Sequence, residues 1–239
     1  LIDTSYTYNF IKLFPTAIIS YDLNSKSKIK FSYSKRVQRT TTFKMNPFPE
    51  REHSETLEQG DPNLLPEFID NIEIGYDNNL SDKFSFFSNL FFRKTNNLIN
   101  RVNTVYNDSI LNRIYSNVGN STLYGLELGL QFKSIKKWSN YFGGNIYYQD
   151  INGEFDNHPV NTNALVYSFN CNSTFKFNSS NSIQFGLNYL SQRITAQGKD
   201  SRFYLPSLTF KKSFLDNSLV MSLQWLNMDM GLINSNEQR

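Results

Sequence analysis

Between residues 122 and 133 the chain reads TLYGLELGLQFK. Tyr124, Leu126, Leu128, Leu130 and Phe132 fall on one parity, and Gly125, Glu127, Gly129, Gln131 and Lys133 on the other. A period of two belongs to a strand, whose successive side chains point to opposite faces. One face is apolar throughout and ends in aromatics; the other is small or charged.

The pattern recurs about ten times. Predicted strands cover residues 10–22, 28–40, 67–77, 83–95, 122–133, 138–150, 163–177, 181–192, 203–212 and 218–225. The second sets Ile29, Phe31 and Tyr33 against Lys30, Ser32, Ser34 and Arg36. The third turns Ile72, Ile74 and Tyr76 outward. The eighth carries Ile183, Phe185, Leu187 and Tyr189, and the tenth Leu219, Met221, Leu223 and Trp225. In the fourth strand Phe87 and Phe91 fall among the polar positions, so its alternation is imperfect. Pro15, in the first, cannot donate to a ladder and suits an edge or a bulge.

Short and long connections alternate. Residues 23–27, 78–82, 134–137, 178–180 and the turn near Asp216 are short. Residues 41–66, 96–120, 151–162 and 193–202 are longer, and the first of them, with Pro47, Pro49, Gly60 and Pro62, reads as irregular loop. Membrane barrels have short turns on the periplasmic side and long loops outside, with apolar side chains facing lipid and polar ones facing a wet lumen. A sandwich or propeller has no reason to sort loop lengths this way. Tyr21, Tyr76, Phe132 and Trp138 lie beside the short turns, and Tyr124, Tyr148, Tyr189 and Tyr204 at the other strand ends. These sets predict two interfacial girdles. The expected fold is all-β: an antiparallel up-and-down transmembrane β-barrel wall of about ten strands.

Composition changes this little. Mean hydropathy is −0.48, and no run of about 18 apolar residues exists to form a spanning helix, but a barrel needs an apolar residue only at every second position. Aromatic content of 15% suits girdles. The net charge of +3 is scattered rather than clustered, which argues against nucleic-acid binding. A single cysteine, Cys171, rules out an internal disulfide. The chain opens at Leu1 without a basic or apolar leader and closes on polar NSNEQR, so both ends are expected to be cuts through a longer protein.

Catalytic and metal chemistry find little support. The two histidines, His53 and His158, lie in predicted loops, and only His53 has acidic company, in Glu50, Glu52 and Glu55. That cluster reads as a solvated loop, and no Ser-His-Asp set or phosphate loop is present. No enzyme activity, cofactor or metal site is expected. Binding residues concentrate on loops held by a rigid scaffold, so Arg51, His53, Asp61 and Asn63 are the ligand-contact candidates. Glu73, Arg93, Glu127 and Gln131 alternate onto the predicted lumen face.

Several segments resemble motifs of TonB-dependent outer-membrane receptors. GDPNLLPE (60–67) running into the third strand resembles their loop-to-strand motif, with FSYSKRVQR (31–39) and MNPF (45–48) upstream. NVGNSTLYGLELGL (117–130) is similar to the next motif, and YLPSLTF (204–210) to a later strand. The resemblance is to the outer-membrane beta-barrel subgroup. Two positions depart from it: Thr40 follows Arg39 where proline is frequent, and LNMDM (226–230) replaces an Asp-x-Phe-Asn pattern. The resemblance implies that residues 1–239 are one portion, C-terminal, of a 22-stranded plugged barrel. The arc would be open, with the plug domain and remaining strands elsewhere. It implies energised uptake of a bulky nutrient such as a metal chelate, glycan or peptide. The implied partners are outer-membrane lipid, the plug with the rest of the barrel, the inner-membrane TonB energy-coupling complex and a transported ligand. The alternative is a passive or structural porin-like barrel.

Overall fold

The computed structural model describes residues 11–53, 55–106, 110–135, 137–216 and 218–227. In chain order the elements are β1 (Thr16–Asn24), β2 (Ser27–Gln38), a short helix α1 (Thr42–Met45), β3 (Glu50–His53) and β4 (Thr56–Gln59). Next come β5 (Glu67–Ser81), β6 (Phe84–Asn96), β7 (Ile99–Tyr106), β8 (Ile110–Asn117) and β9 (Asn120–Ile135). The chain continues through β10 (Trp138–Phe155), β11 (His158–Lys176), β12 (Asn181–Leu190), β13 (Arg193–Thr195), β14 (Gly198–Asp200), β15 (Phe203–Phe214) and β16 (Leu219–Leu226).

Ten of these strands form one antiparallel sheet in the order β1-β2-β5-β6-β9-β10-β11-β12-β15-β16, each joined to its neighbour in the chain's up-and-down path. They are the ten strands the alternation predicts. β1 and β16 end the sheet without pairing to each other, and every residue of both is exposed. The wall is therefore an open arc. The first ten residues and the polar tail lie outside the described residues.

Register carries the apolar face across the whole arc. Tyr33, Ile72, Phe92, Tyr124, Tyr148 and Leu165 are successive cross-strand partners, and so are Phe31, Ile74, Leu90, Leu126, Ile146 and Tyr167. Large apolar side chains stay exposed along this face, among them Ile74, Leu90, Leu128, Ile146, Leu165 and Leu223. Side chains of this kind in water would make a large adhesive patch; facing acyl chains they are in their own solvent. Aromatic pairs mark its two borders. Tyr124 and Tyr148 lie 5.4 Å apart and Tyr167 stacks on Tyr189 at 5.8 Å near the long connections. Phe84–Phe132 at 4.7 Å and Trp138–Phe175 at 5.6 Å sit by the short turns.

The long connections differ from expectation. Residues 41–66 are not irregular: together with the long connection 96–120 they contain α1 and a second sheet, ordered β3-β4-β8-β7, whose central pair β4–β8 is parallel. Prolines at 47, 49 and 62 flank its short strands rather than prevent them. Residues 151–162 are not a loop either. β10 and β11 run on to Phe155 and from His158, closing through Asp156 and Asn157 with φ of 50° and 59°. Two consecutive positive φ values are the geometry of a type I′ turn, which matches strand twist. At about 3.4 Å per residue, the 18 residues of β10 extend about 60 Å, roughly twice the hydrocarbon thickness. The upper part of this hairpin stands clear of the bilayer. Residues 193–202 hold the small hairpin β13–β14.

The only buried apolar cluster among the described residues lies up there. Val102, Val118, Ile151, Val160, Ile194 and Ala196 form it, drawn from β7, β10, β11, β13 and the segments beside β8 and β13. On β10 the apolar positions near the membrane are the outward Phe142, Ile146 and Tyr148; above them they become the opposite parity, Ile151 and Phe155. The hydrophobic phase flips where the strand leaves lipid, because the buried side is then the one under the second sheet.

Candidate functional site: the lumen face and the extracellular platform

On the inward face, Asn71 joins two residues the alternation singles out. Its Nδ2 donates to Glu73 Oε1 at 2.7 Å and its Oδ1 accepts from Arg93 Nε at 3.3 Å. Ser32 Oγ donates to the other Glu73 oxygen at 3.5 Å. The cross-strand pairing Asn71↔Arg93 brings these groups together. Asn71 shares the parity of Glu73, which is the signal by which it could have been selected. Lys30 and Asp77 form an ion pair on the same face. Gln131 accepts from Ser85 Oγ at 3.5 Å. Glu127 is exposed between its register partners Asn89 and Asn145, with no hydrogen bond or ion pair among the described residues.

Phe87 and Phe91, the two off-pattern aromatics, belong to this face by design of the register. Phe87 pairs with Gly129, and its ring occupies the space where a Cβ on Gly129 would sit. Phe91 pairs with Gly125, and its ring meets that of Tyr147 at 6.2 Å across the glycine. The small residues of β9 are thus sockets for neighbouring rings.

The platform is anchored by the segment 60–67. A Cβ on Gly60 would meet the backbone at Lys44 and Asn46, so only glycine lets the chain pass α1 so closely. Asp61 accepts from Asn63 N–H at 2.8 Å while its own N–H donates to Lys44 O at 2.9 Å. Leu64 is fully buried. Asn117 clasps Leu65, accepting its N–H at 2.8 Å and donating to its carbonyl at 3.0 Å. Glu67, also buried, accepts Ile99 N–H at 2.7 Å and so satisfies the start of the edge strand β7. Further along that edge, the Gln197 amide accepts Asn103 N–H at 2.5 Å and donates to Asn103 O at 3.0 Å. An amide pairing with strand backbone covers an edge that would otherwise be open.

One face of the platform gathers charge. Glu58, with a side chain only 13% exposed, accepts from Tyr115 OH at 2.8 Å and lies 3.9 Å from Arg101. Phe43 packs edge-on to Tyr115 at 6.2 Å, and Lys44 Nζ stands 5.4 Å above the same ring. Alternation within the predicted loops was not legible, so none of these four contacts was anticipated.

The four loop candidates divide. Arg51 is exposed on β3, in register with Leu57. Asp61 spends its carboxylate on its own turn, and Asn63 is exposed beside it. The side chain of His53 lies outside what is described, as does that of Glu52 in the same acidic cluster. Among the described residues no three His, Cys, Asp or Glu side chains converge.

An amphipathic open wall with girdles at both borders and a folded cap on one side is the architecture of an outer-membrane β-barrel. The chain belongs to the outer membrane protein beta-barrel family, whose model matches residues 2–238. No curated protein matches it. Among solved structures it is similar to the siderophore receptor PirA of Pseudomonas aeruginosa (TM-score 0.62, 16% identity, 90% of this chain and 38% of that one). It is similar also to the FrpB iron transporter of Neisseria meningitidis (0.62, 12%, 90% and 34%). A third neighbour is the copper transporter OprC (0.61, 12%, 94% and 37%). The chain thus spans little more than a third of the length of these proteins, and at such identities the likeness is one of fold. The arc is part of a larger barrel wall in the Gram-negative outer membrane.

Proposed function

We propose that this arc is the C-terminal wall and extracellular cap of a TonB-dependent receptor that captures a bulky, scarce nutrient and imports it with energy from the inner membrane. The observation that carries this reading is the platform. A passive pore needs loops that leave its mouth open; here two long connections build a second sheet that shares a buried core with the outer ends of β10 and β11 and with β13. The polar inward face, with Asn71, Glu73 and Arg93 in one network and Glu127 unengaged, is suited to contact a plug and a passing ligand. Neighbours named as siderophore receptor, iron transporter and copper transporter favour a metal chelate among the nutrient classes considered.

The test is uptake in cells carrying or lacking the gene, with ferric catecholate, ferric hydroxamate, oligosaccharide and oligopeptide probes. Energised import predicts gene-dependent accumulation of one probe, abolished by an uncoupler or by loss of the energy-coupling complex. Gene-dependent entry that survives both treatments is the behaviour of a passive barrel and would overturn the reading.

A further inference from the structure

Charge at the periplasmic mouth of the arc is unevenly matched. The inward lysines of β2 each have a carboxylate: Lys28 Nζ lies 3.3 Å from Asp22 Oδ1, and Lys30 pairs with Asp77. Further along the arc this stops. Lys133 ends the inward row of β9 below Gln131. Its N–H donates to Lys83 O at 2.7 Å, which sets the two lysines opposite each other on one face. Lys176 on β11 and Lys211 on β15 are both register partners of Ser182 on β12, one from each side. All four lysines are exposed, and their ammonium groups form no hydrogen bond or ion pair among the described residues. Asp82 and Asp216, in the short turns, form no ion pair there either. Beside Lys133 a polar recess of about 630 Å³ opens between the first two short turns, its lining including Ser25, Lys26, Asn79, Asp82, Ser85 and Lys133. The turns that wall it are tied together, Asn79 N–H donating to Lys26 O at 2.8 Å and Lys26 Nζ to Leu80 O at 3.3 Å.

Like charges placed directly opposite on a sheet face repel, and four lysines against two turn carboxylates leave this mouth positive. Their inward parity turns them away from lipid, so the group that balances them has to stand in the lumen. We infer that Lys83, Lys133, Lys176 and Lys211 dock an acidic segment of the plug at the periplasmic mouth, with the recess beside Lys133 receiving its chain. This rests on the proposed function, under which chain outside residues 1–239 supplies a plug. A polyanion outside the barrel would meet the turns first, whereas these lysines belong to the inward rows of the strands. A dock held by exposed charge is screened by salt, and it releases without opening an apolar core when the plug is pulled from the periplasm.

The experiment uses the full native receptor in isolated cell envelopes, treated with a water-soluble carbodiimide. This reagent joins a lysine amine to a carboxylate at ion-pair distance as an amide, and peptide mass spectrometry reads the products. Amide links are expected from Lys83 or Lys133, and from Lys176 or Lys211, to Asp or Glu residues of the receptor outside residues 1–239. Their yield is expected to fall several-fold in 1 M salt, where the screening length shrinks to about 3 Å. In the variant Lys83→Glu/Lys133→Glu, chymotrypsin added from the periplasmic side is expected to cut the plug about 10-fold faster, from the combined worth of exposed ion pairs. Lys83→Arg/Lys133→Arg is expected to be cut at the native rate, because it keeps the charge. If the charge-reversed variant does not fold, the links in the native receptor decide the matter alone. Links only to the receptor's own turn carboxylates, or none, would overturn the inference, the lysines then being simply solvated. Links to cell-wall peptide carboxylates would also overturn it, the partner then being outside the barrel. Uptake is measured separately: energised import without these links would sink the dock and leave the proposed function standing.

Discussion

The ring of Phe87 on β6 fills the place of a side chain on Gly129 of β9, its direct register partner on the inward face. An aromatic out of phase with its strand and a glycine within a strand would each weaken a sheet alone. Together they form one packed unit. Gly129→Val should therefore cost about 1–3 kcal/mol through overpacking. Phe87→Ala should recover much of that loss when combined with it. Urea unfolding of the full receptor and its single and double variants gives the coupling; strict additivity of the two changes would contradict the contact.

Lipid and lumen faces of β9 should tolerate charge unequally. Leu128 is exposed on the apolar face, and Gln131 lies on the other, where it accepts from Ser85. Leu128→Arg should cost about 2–4 kcal/mol if the site is at the bilayer midplane, and Gln131→Arg little. Folding yield into lipid vesicles measures both. A harmless Arg at 128 beside a damaging one at 131 would invert the faces.

The wall was legible in the sequence and the cap was not. Ten strands and the outward parity follow from alternation, because lipid imposes a single rule on every spanning residue; the open ends were expected from the family resemblance. Above the membrane that rule lapses. Ile151 and Phe155 continue β10 with the opposite parity to Ile146 and Tyr148, and the change of phase reads as the end of a strand. Short strands such as Thr56–Gln59 carry too few residues to show a period. Glu73 and Arg93 were legible as a shared face, but their link through Asn71 depends on register between strands. Glu58 and Tyr115 stand 57 residues apart, joined only by the parallel pairing of β4 with β8.

The cap should behave as a folded unit. Ile151 is 1% exposed at the centre of its core. Ile151→Ala should cost about 2–5 kcal/mol locally, and protease added to intact cells should then cut within residues 96–120 much faster than in the native receptor. The wall should keep its resistance to heat and detergent. Rapid cutting of the native receptor at those residues would show that the cap has no core of its own.

Gly119 tests how the cap meets the wall. Its φ is +120°, and a Cβ there would collide with the backbone of Asn152 and Gly153 on β10. Gly119→Ala should combine backbone strain with separation of the two chains and so loosen β9 from β10 at their outer ends. Amide hydrogen exchange should rise around residues 118–122 and 150–153. Exchange as slow as in the native protein would contradict the close approach.

The most direct test is a cysteine scan of β10 from Tyr141 to Phe155 in the full receptor, in a Cys171→Ser background. Each position carries a fluorophore, and quenching by acyl-chain quenchers is compared with quenching by an aqueous one. Phe142, Ile146 and Tyr148 should be quenched from lipid and Tyr141, Asn145 and Tyr147 should not. From Ile151 onward lipid quenching should vanish at both parities, with Ile151 and Phe155 also shielded from water. Lipid quenching at odd positions, or an even-position pattern that persists unchanged to Glu154, would contradict a wall that leaves the membrane at Tyr148 and carries a folded cap above it.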